Sequence, residues 1–216
     1  MLKIILYILA AIAAYLMGGL NPAIIVSKAV YHKDIRECGS GNPGFTNFKR
    51  AFGNKWAWWV LVMDLAKSAI VAAIFAWLIA VPADGNYQIA AAWIGFFAVM
   101  GHAYPVWYGF RGGKGFLVYL SVVWFIDWHA GVIAVLVMLI LLGITKYMSL
   151  STVIAMLSCP VTLLITAAAW QATVLCAVTV LFIAWRHREN FKRLKNGEES
   201  KFSLRSKKDG TAKENG

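Results

Sequence analysis

The chain predicts an all-α integral membrane protein of seven transmembrane helices, with the N-terminus outside and the C-terminus cytoplasmic. Three observations predict it. Hydrophobic residues make up 60% of the 216 positions and charged residues only 14%, a mix unlike that of a water-soluble domain. Apolar stretches recur at about 4–21, 56–81, 88–107, 115–127, 130–146, 151–169 and 171–186, each near the roughly 20 residues a helix needs to cross the hydrocarbon. Lysine and arginine gather between alternate stretches, the charge pattern of loops held on the cytoplasmic side.

The first stretch follows Met1-Leu-Lys3 and ends near Met17, Gly18 and Gly19, the outline of a signal peptide. Its length and the charge parity of the later stretches favour an uncleaved first span. The second carries Asp64 and Lys67 on one helical face, read either as a mutually satisfied pair or as the lining of a polar cavity. The region 115–145 reads as one long helix or as two short ones broken around Asp127, Trp128 and His129. Parity selects two. The clusters Lys28 to Lys55, Arg111 with Lys114, Lys146, and Arg186 to Lys213 then share one side, and the turns near 82–87, 127–129 and 167–172 hold no lysine or arginine. Residues 1–202 form one membrane domain, and 203–216 a disordered basic tail.

The formal charge of +11 does not indicate nucleic acid, because the basic clusters are separated by long tracts that contain none. Cys38, Cys159 and Cys176 are an odd number without metal-site spacing, so they read as packing residues.

Three polar islands fall on the side that parity assigns to the cytoplasm. The first, Asp34 to Arg50, combines Gly39, Gly41 and Gly44 with Ser40, Asn42, Thr46, Asn47 and Arg50. Glycines let backbone N–H groups turn inward as an anion nest, and the hydroxyl and amide side chains add neutral donors. The second, Gly101 to Gly115, sets Lys114 among Gly112, Gly113 and Gly115 just before a helix, whose N-terminal end favours anions. It is not a Walker loop, since Gly115 stands where a magnesium-binding Ser or Thr is needed. The third, Trp185 to Gly197, continues the last span as a polar helix; His187 and Asn190 share a face, while Lys192 and Arg193 are read as turning elsewhere. Ser149 and Ser151 lie in a further cytoplasmic turn, as helix caps or as substrate contacts.

In this order the islands resemble the loop motifs of the bacterial acyl-phosphate:glycerol-3-phosphate acyltransferases, the PlsY family, whose pattern reads DIR..GSGN.GATN..R, GH.FP.....GGKG and H..N..R...G.E. They correspond here to Asp34–Arg50, Gly101–Gly115, and His187, Asn190, Arg193, Gly197 and Glu199. Phe45 replaces the usual alanine beside the nest, and Tyr104 the usual phenylalanine. The resemblance implies a phospholipid-synthesis enzyme of the bacterial cytoplasmic membrane, with its active site facing the cytoplasm. It would move a fatty acyl group from acyl phosphate to the 1-hydroxyl of glycerol 3-phosphate, giving lysophosphatidic acid and phosphate. Ser40, Arg50, Lys114, His187 and Asn190 are then the catalytic candidates. Gly39, Gly41, Asn42, Gly44, Thr46, Asn47, Gly112, Gly113, Gly115, Ser149 and Ser151 are the substrate-binding candidates.

No cofactor or metal is expected. The expected partners are the two substrates, membrane lipids and the soluble enzyme that makes acyl phosphate, with no nucleic acid. An acyl phosphate is already activated, so positioning and charge neutralisation supply most of the rate. No histidine is followed by aspartate at the HxxxxD spacing, which excludes the common coenzyme A-using motif class. A transporter of phosphorylated metabolites is the rival reading, but it needs polar groups on both faces, and the outer turns are short and poor in them.

Overall fold

The computed structural model describes residues 1–83 and 85–203, and among these it is helical with no strand. Of the expected tail, 203–216, Ser203 is described and accepts from Lys49 Nζ at 2.7 Å, and 204–216 lie outside the described residues. Seven apolar helices occupy the positions of the seven apolar stretches: α1 (Leu2–Gly19), α4 (Ala57–Ala80), α5 (Tyr87–Ala103), α6 (Phe116–Ile126), α7 (Trp128–Thr145), α8 (Met148–Ile165) and α9 (Trp170–Arg186). Between and after them lie three short helices, the mostly apolar α2 (Pro22–Tyr31), the amphipathic α3 (Phe45–Phe52) and the polar α10 (Arg188–Lys195). Five segments are long and apolar enough to cross a membrane: Leu2–Tyr31, Ala57–Ala80, Tyr87–Tyr108, Trp128–Thr145 and Met148–Ile165; α6 and α9 are shorter.

Local chemistry sets the breaks. Leu20 closes α1, Asn21 caps α2 by accepting from Ile24 N at 3.1 Å, and Pro22 takes the first helical position, where no N–H is needed. Asp127 caps α7 by accepting from His129 N at 2.8 Å, so α6 and α7 are two helices, as charge parity requires.

Along α5 the core is built largely of small side chains. α5 lies against α1, α4, α6 and α9 and buries Ala90, Ala91, Ala92, Gly95, Ala98 and Gly101. A Cβ on Gly18 would collide with the Ala98 carbonyl, and one on Gly101 with the Tyr15 carbonyl, so the α1 and α5 backbones approach as closely as only glycine permits. Beyond a buried set that includes Tyr119, Ile79, Ile94, Met156, Leu163 and Ile183, many large apolar residues face outward, among them Leu136, Leu139, Ile140 and Ile144 on α7. That inversion of the water-soluble pattern suits a lipid solvent. Exposed tryptophans mark both rims, Trp58, Trp59 and Trp185 at one end of the bundle and Trp77, Trp128 and Trp170 at the other.

α6 has 11 residues, about 16 Å at 1.5 Å per residue, roughly half of a bilayer's hydrocarbon. It begins below the rim because the preceding loop folds back along the last turn of α5, with Gly112 N donating to Ala103 O at 3.1 Å and Gly113 N to His102 O at 3.0 Å. This re-entry sinks Lys114 into the bundle.

Candidate functional site

The first polar island is half loop and half helix. Asp34 to Gly44 is loop with a short 3-10 turn, Ile35–Glu37, but Thr46, Asn47 and Arg50 lie on α3, which seats Phe45, Phe48 and Phe52 on one side. The loop is shaped by Asn47, whose Oδ1 accepts from Ser40 N at 3.0 Å and whose Nδ2 donates to Cys38 O at 2.9 Å. Gly39, at φ +56°, completes this turn; a Cβ there would strike the Asn47 amide. Asn47 therefore positions Ser40 rather than offering its own amide.

The second island is pinned from below and above. Arg186 Nη2 donates to Gly113 O at 2.9 Å and Gly112 O at 3.2 Å while its guanidinium lies over the Tyr104 ring at 5.1 Å. Beneath sits a buried polar cluster on α4 and α5. Lys67 Nζ lies 2.8 Å from Asp64 Oδ1, donates to Leu20 O at 2.8 Å and meets His102 Nδ1 at 3.1 Å. His102 Nδ1 accepts there, which leaves its proton on Nε2. Asp64 and Lys67 are ion-paired, Asp64 Oδ1 has no hydrogen bond of good alignment among the described residues, and Asp64 also lines the cavity above, so features of both readings are present.

The third island and the chain end close the site. Lys114 Nζ donates to Asn190 Oδ1, and Asn190 Nδ2 donates to Glu199 Oε1 at 2.7 Å. Ser149 Oγ donates to the same oxygen at 2.8 Å, and Arg193 Nε to Glu199 Oε2 at 3.0 Å. The reading that turns Arg193 elsewhere is corrected: Asn190 and Arg193 are three apart, as His187 and Asn190 are, and all three reach the site. Glu199 belongs to a strap, residues 198–203, laid across the mouth. Phe202 N donates to Lys146 O at 2.7 Å, Arg50 Nη2 to Ser200 O at 3.1 Å and Lys49 Nζ to Ser203 O at 2.7 Å.

These elements enclose one cavity of about 170 Å³. All five catalytic candidates, Ser40, Arg50, Lys114, His187 and Asn190, line it, together with Asn42, Gly44, Thr46, Asn47, Gly115 and Ser149. Gly39, which is exposed, and the buried Gly113 and Ser151 do not line it, Ser151 Oγ donating to Tyr147 O at 2.9 Å, and Gly41 and Gly112 face a second cavity. Sequence reasoning did not choose Glu199 or Arg193, although both lie in the third motif. Nor did it choose the apolar lining of Phe45, Leu61, Leu117, Met138 and Met148, which carries no local signal beyond its helices' periodicity.

The cavity joins the cations Lys114, Arg50 and Arg193 to an apolar lining of Phe45, Leu61, Leu117, Met138 and Met148, with Asp64 and His102 also in its wall. Burial, reinforced by Arg193, lowers the Lys114 ammonium to about 8, with Glu199 offsetting part of the effect. Burial and the Lys114 charge lower His187 to about 4. His187 is thus neutral at pH 7, and because its Nδ1 lies 2.8 Å from Ile183 O, a group that only accepts, the proton is on Nδ1 and Nε2 is an open acceptor. For Glu199 burial acts upward, but hydrogen bonds from Asn190, Ser149 and Arg193 outweigh it and keep the carboxyl below its ordinary range. The site can therefore hold an anionic head on Lys114, Arg50 and Arg193, accept a hydrogen bond from a hydroxyl at His187 Nε2, and seat an aliphatic chain against its apolar lining.

A family model described as glycerol-3-phosphate acyltransferase matches residues 8–197. The chain is 38% identical to the glycerol-3-phosphate acyltransferase of Listeria welshimeri over 194 residues, covering 90% of this chain and 96% of that protein. It is 34% identical to that of Coxiella burnetii over 199 residues, covering 92% and 99%. Among solved structures it resembles PlsY, an integral membrane glycerol 3-phosphate acyltransferase in its glycerol 3-phosphate form. There the TM-score is 0.83 and the identity 32%, over 91% of this chain and 96% of that one. The lysophosphatidic acid form of PlsY aligns with a TM-score of 0.79.

Proposed function

The chain belongs to the glycerol-3-phosphate acyltransferase family, and from that premise we propose that it transfers a fatty acyl group from acyl phosphate to the 1-hydroxyl of glycerol 3-phosphate. The products are lysophosphatidic acid and inorganic phosphate. The observation that carries this reading is the convergence of Ser40, Arg50, Lys114, His187 and Asn190 on one cavity whose floor is Leu61, Leu117 and Met138. Cations suit two phosphorylated substrates, and the apolar floor suits the chain of one of them.

The chemistry follows from the groups present. Lys114 and Arg50 bind the phosphates, Lys114 as a point charge and Arg50 as a fork. His187 Nε2 accepts a hydrogen bond from the glycerol hydroxyl and orients it. With its pKa at about 4 the imidazole is a weak base, so its role is alignment, and the departing phosphate is the stronger proton acceptor. The hydroxyl oxygen bonds to the carbonyl carbon, Ser40 and Asn190 steady the oxyanion, and the carbon–oxygen bond to phosphate breaks.

The placement proposed is the bacterial cytoplasmic membrane, crossed seven times, with the N-terminus outside and the site facing the cytoplasm. Basic residues at the cavity end, such as Lys28, Lys33, Lys55, Arg111 and Lys146, and their scarcity in the opposite turns, support it. α6 completes its crossing together with the re-entrant loop that precedes it. The soluble enzyme that makes acyl phosphate is the partner proposed for donor supply.

Purified protein given palmitoyl phosphate and glycerol 3-phosphate is expected to form lysophosphatidic acid. Product from palmitoyl-coenzyme A alone would reassign the donor. Turnover is expected to be unchanged in EDTA, and a loss that magnesium restores would refute metal independence.

The pH profile tests the electrostatics. Because Lys114 is lowered to about 8, its ammonium is lost as pH rises through that value, and kcat/KM falls there. The neutral His187 is lost only as pH falls toward about 4. Lys114→Arg, whose guanidinium stays charged, is expected to abolish the alkaline limb whatever its absolute rate. An alkaline limb that persists in this variant would assign it to another group.

A further inference from the structure

Behind the glycine loops lies a second cavity, of about 240 Å³, lined by Arg36, Gly41, Pro43, Phe110, Arg111, Gly112 and Arg186. None of its three arginines is needed for the chemistry above. Gly112 and Gly41 form its wall, and their chain neighbours Gly113-Lys114 and Ser40 lead to the first cavity, so the two chambers are back to back across a partition of glycine backbone.

The charges here are not used up internally. Asp34 grips Arg36 through two bonds, Oδ1 with Nε at 3.0 Å and Oδ2 with Nη2 at 2.7 Å, and so fixes it as a wall, while Asp34 Oδ2 also lies 3.2 Å from Lys28 Nζ. Arg36 Nη1 donates to Tyr108 O at 2.8 Å. Arg111 is exposed, and neither it nor Arg186 enters an ion pair among the described residues. Arg186 Nη2 serves the glycine carbonyls, but its Nε is buried with no hydrogen-bond partner among the described residues. A buried cationic N–H left open is costly unless something accepts from it. Backbone donors play little part, since Gly41 N is bonded to Cys38 O, Phe110 N to Pro105 O and Gly112 N to Ala103 O. What remains is two guanidinium groups without a counter-ion among the described residues, both lining one open volume, a match in charge for a phosphate dianion.

We propose that this chamber is a second anion site, which takes a phosphate dianion through Arg111 and Arg186 and receives the inorganic phosphate released on the other side of the glycine wall. The site itself stands on the cavity and its arginines; its assignment to released phosphate rests on the acyl-transfer reading above.

The test is equilibrium dialysis of the detergent-solubilised full chain against radiolabelled inorganic phosphate, so turnover is not needed. The wild type is expected to bind two phosphates per chain. Lys114→Ala loses the one in the catalytic cavity and keeps the other. Arg111→Glu weakens the remaining one by about tenfold or more, since it replaces an attracting charge with a repelling one. Arg111 is exposed, so size-exclusion behaviour is expected to be unchanged in this variant. Absence of saturable phosphate binding in Lys114→Ala, or indifference of that binding to Arg111→Glu, would overturn the proposal. Displacement by dihexanoyl phosphatidic acid far more readily than by glycerol 3-phosphate would uphold the anion site but overturn released phosphate as its ligand in favour of a lipid headgroup.

Discussion

Lys114→Ala lowers acyl transfer by about 10²–10³-fold, the effect of removing one preorganised charge from a developing anion. The protein still folds, because what holds the loop in place is not the lysine side chain. Gly112 N and Gly113 N bond to the end of α5, and Arg186 holds both glycine carbonyls. Among the described residues, the hydrogen bond lost is the one to Asn190 Oδ1. The measurement is lysophosphatidic acid formation from palmitoyl phosphate, beside size-exclusion chromatography of the same sample. Near-native turnover in the variant would remove Lys114 from the mechanism.

Lys67→Met has the largest effect on stability. The ammonium touches the Asp64 carboxylate, the carbonyl of Leu20 at the α1–α2 break, and His102 Nδ1, so its three donors tie together three parts of the bundle. Removing it strands a carboxylate that is only 2% exposed, at a cost of about 3–5 kcal/mol. The double variant Asp64→Asn/Lys67→Met is expected to regain most of this, since a neutral amide needs no counter-ion. Thermal unfolding of the four proteins in one detergent gives the coupling directly. Equal Tm values for Lys67→Met and wild type would show that the pair is not a structural element.

The helices and the catalytic candidates were legible for one physical reason: apolar length and clustered charge are properties of consecutive residues. Parity distinguished α6 from α7 because a single helix there would have carried the final basic cluster to the other face. α3 was less visible, since its glycine-rich approach drew attention from Phe45, Phe48 and Phe52, whose spacing marks a helical face. α2 had a signal in Asn21-Pro22. The floor of the cavity was not legible. Leu61, Leu117 and Met138 come from three helices, and nothing local distinguishes an apolar residue facing a substrate from one facing lipid. Glu199 is a similar case, because an acidic residue past the last helix reads as solvated until the chain is seen to fold back.

That return of the chain decides where the protein can be trimmed or tagged. Residues from Glu199 to Ser203 act as a clasp joining α3, α8 and α10 through Arg50, Ser149, Asn190 and Arg193. A version ending immediately after Ser203 keeps every one of those contacts and is expected to purify with full activity. One ending at Gly197 leaves Asn190, Ser149 and Arg193 without their shared acceptor, so the last helix swings free and catalysis goes with it. Affinity handles belong beyond residue 203, and a cut only a few residues earlier would be mistaken for an inactive enzyme.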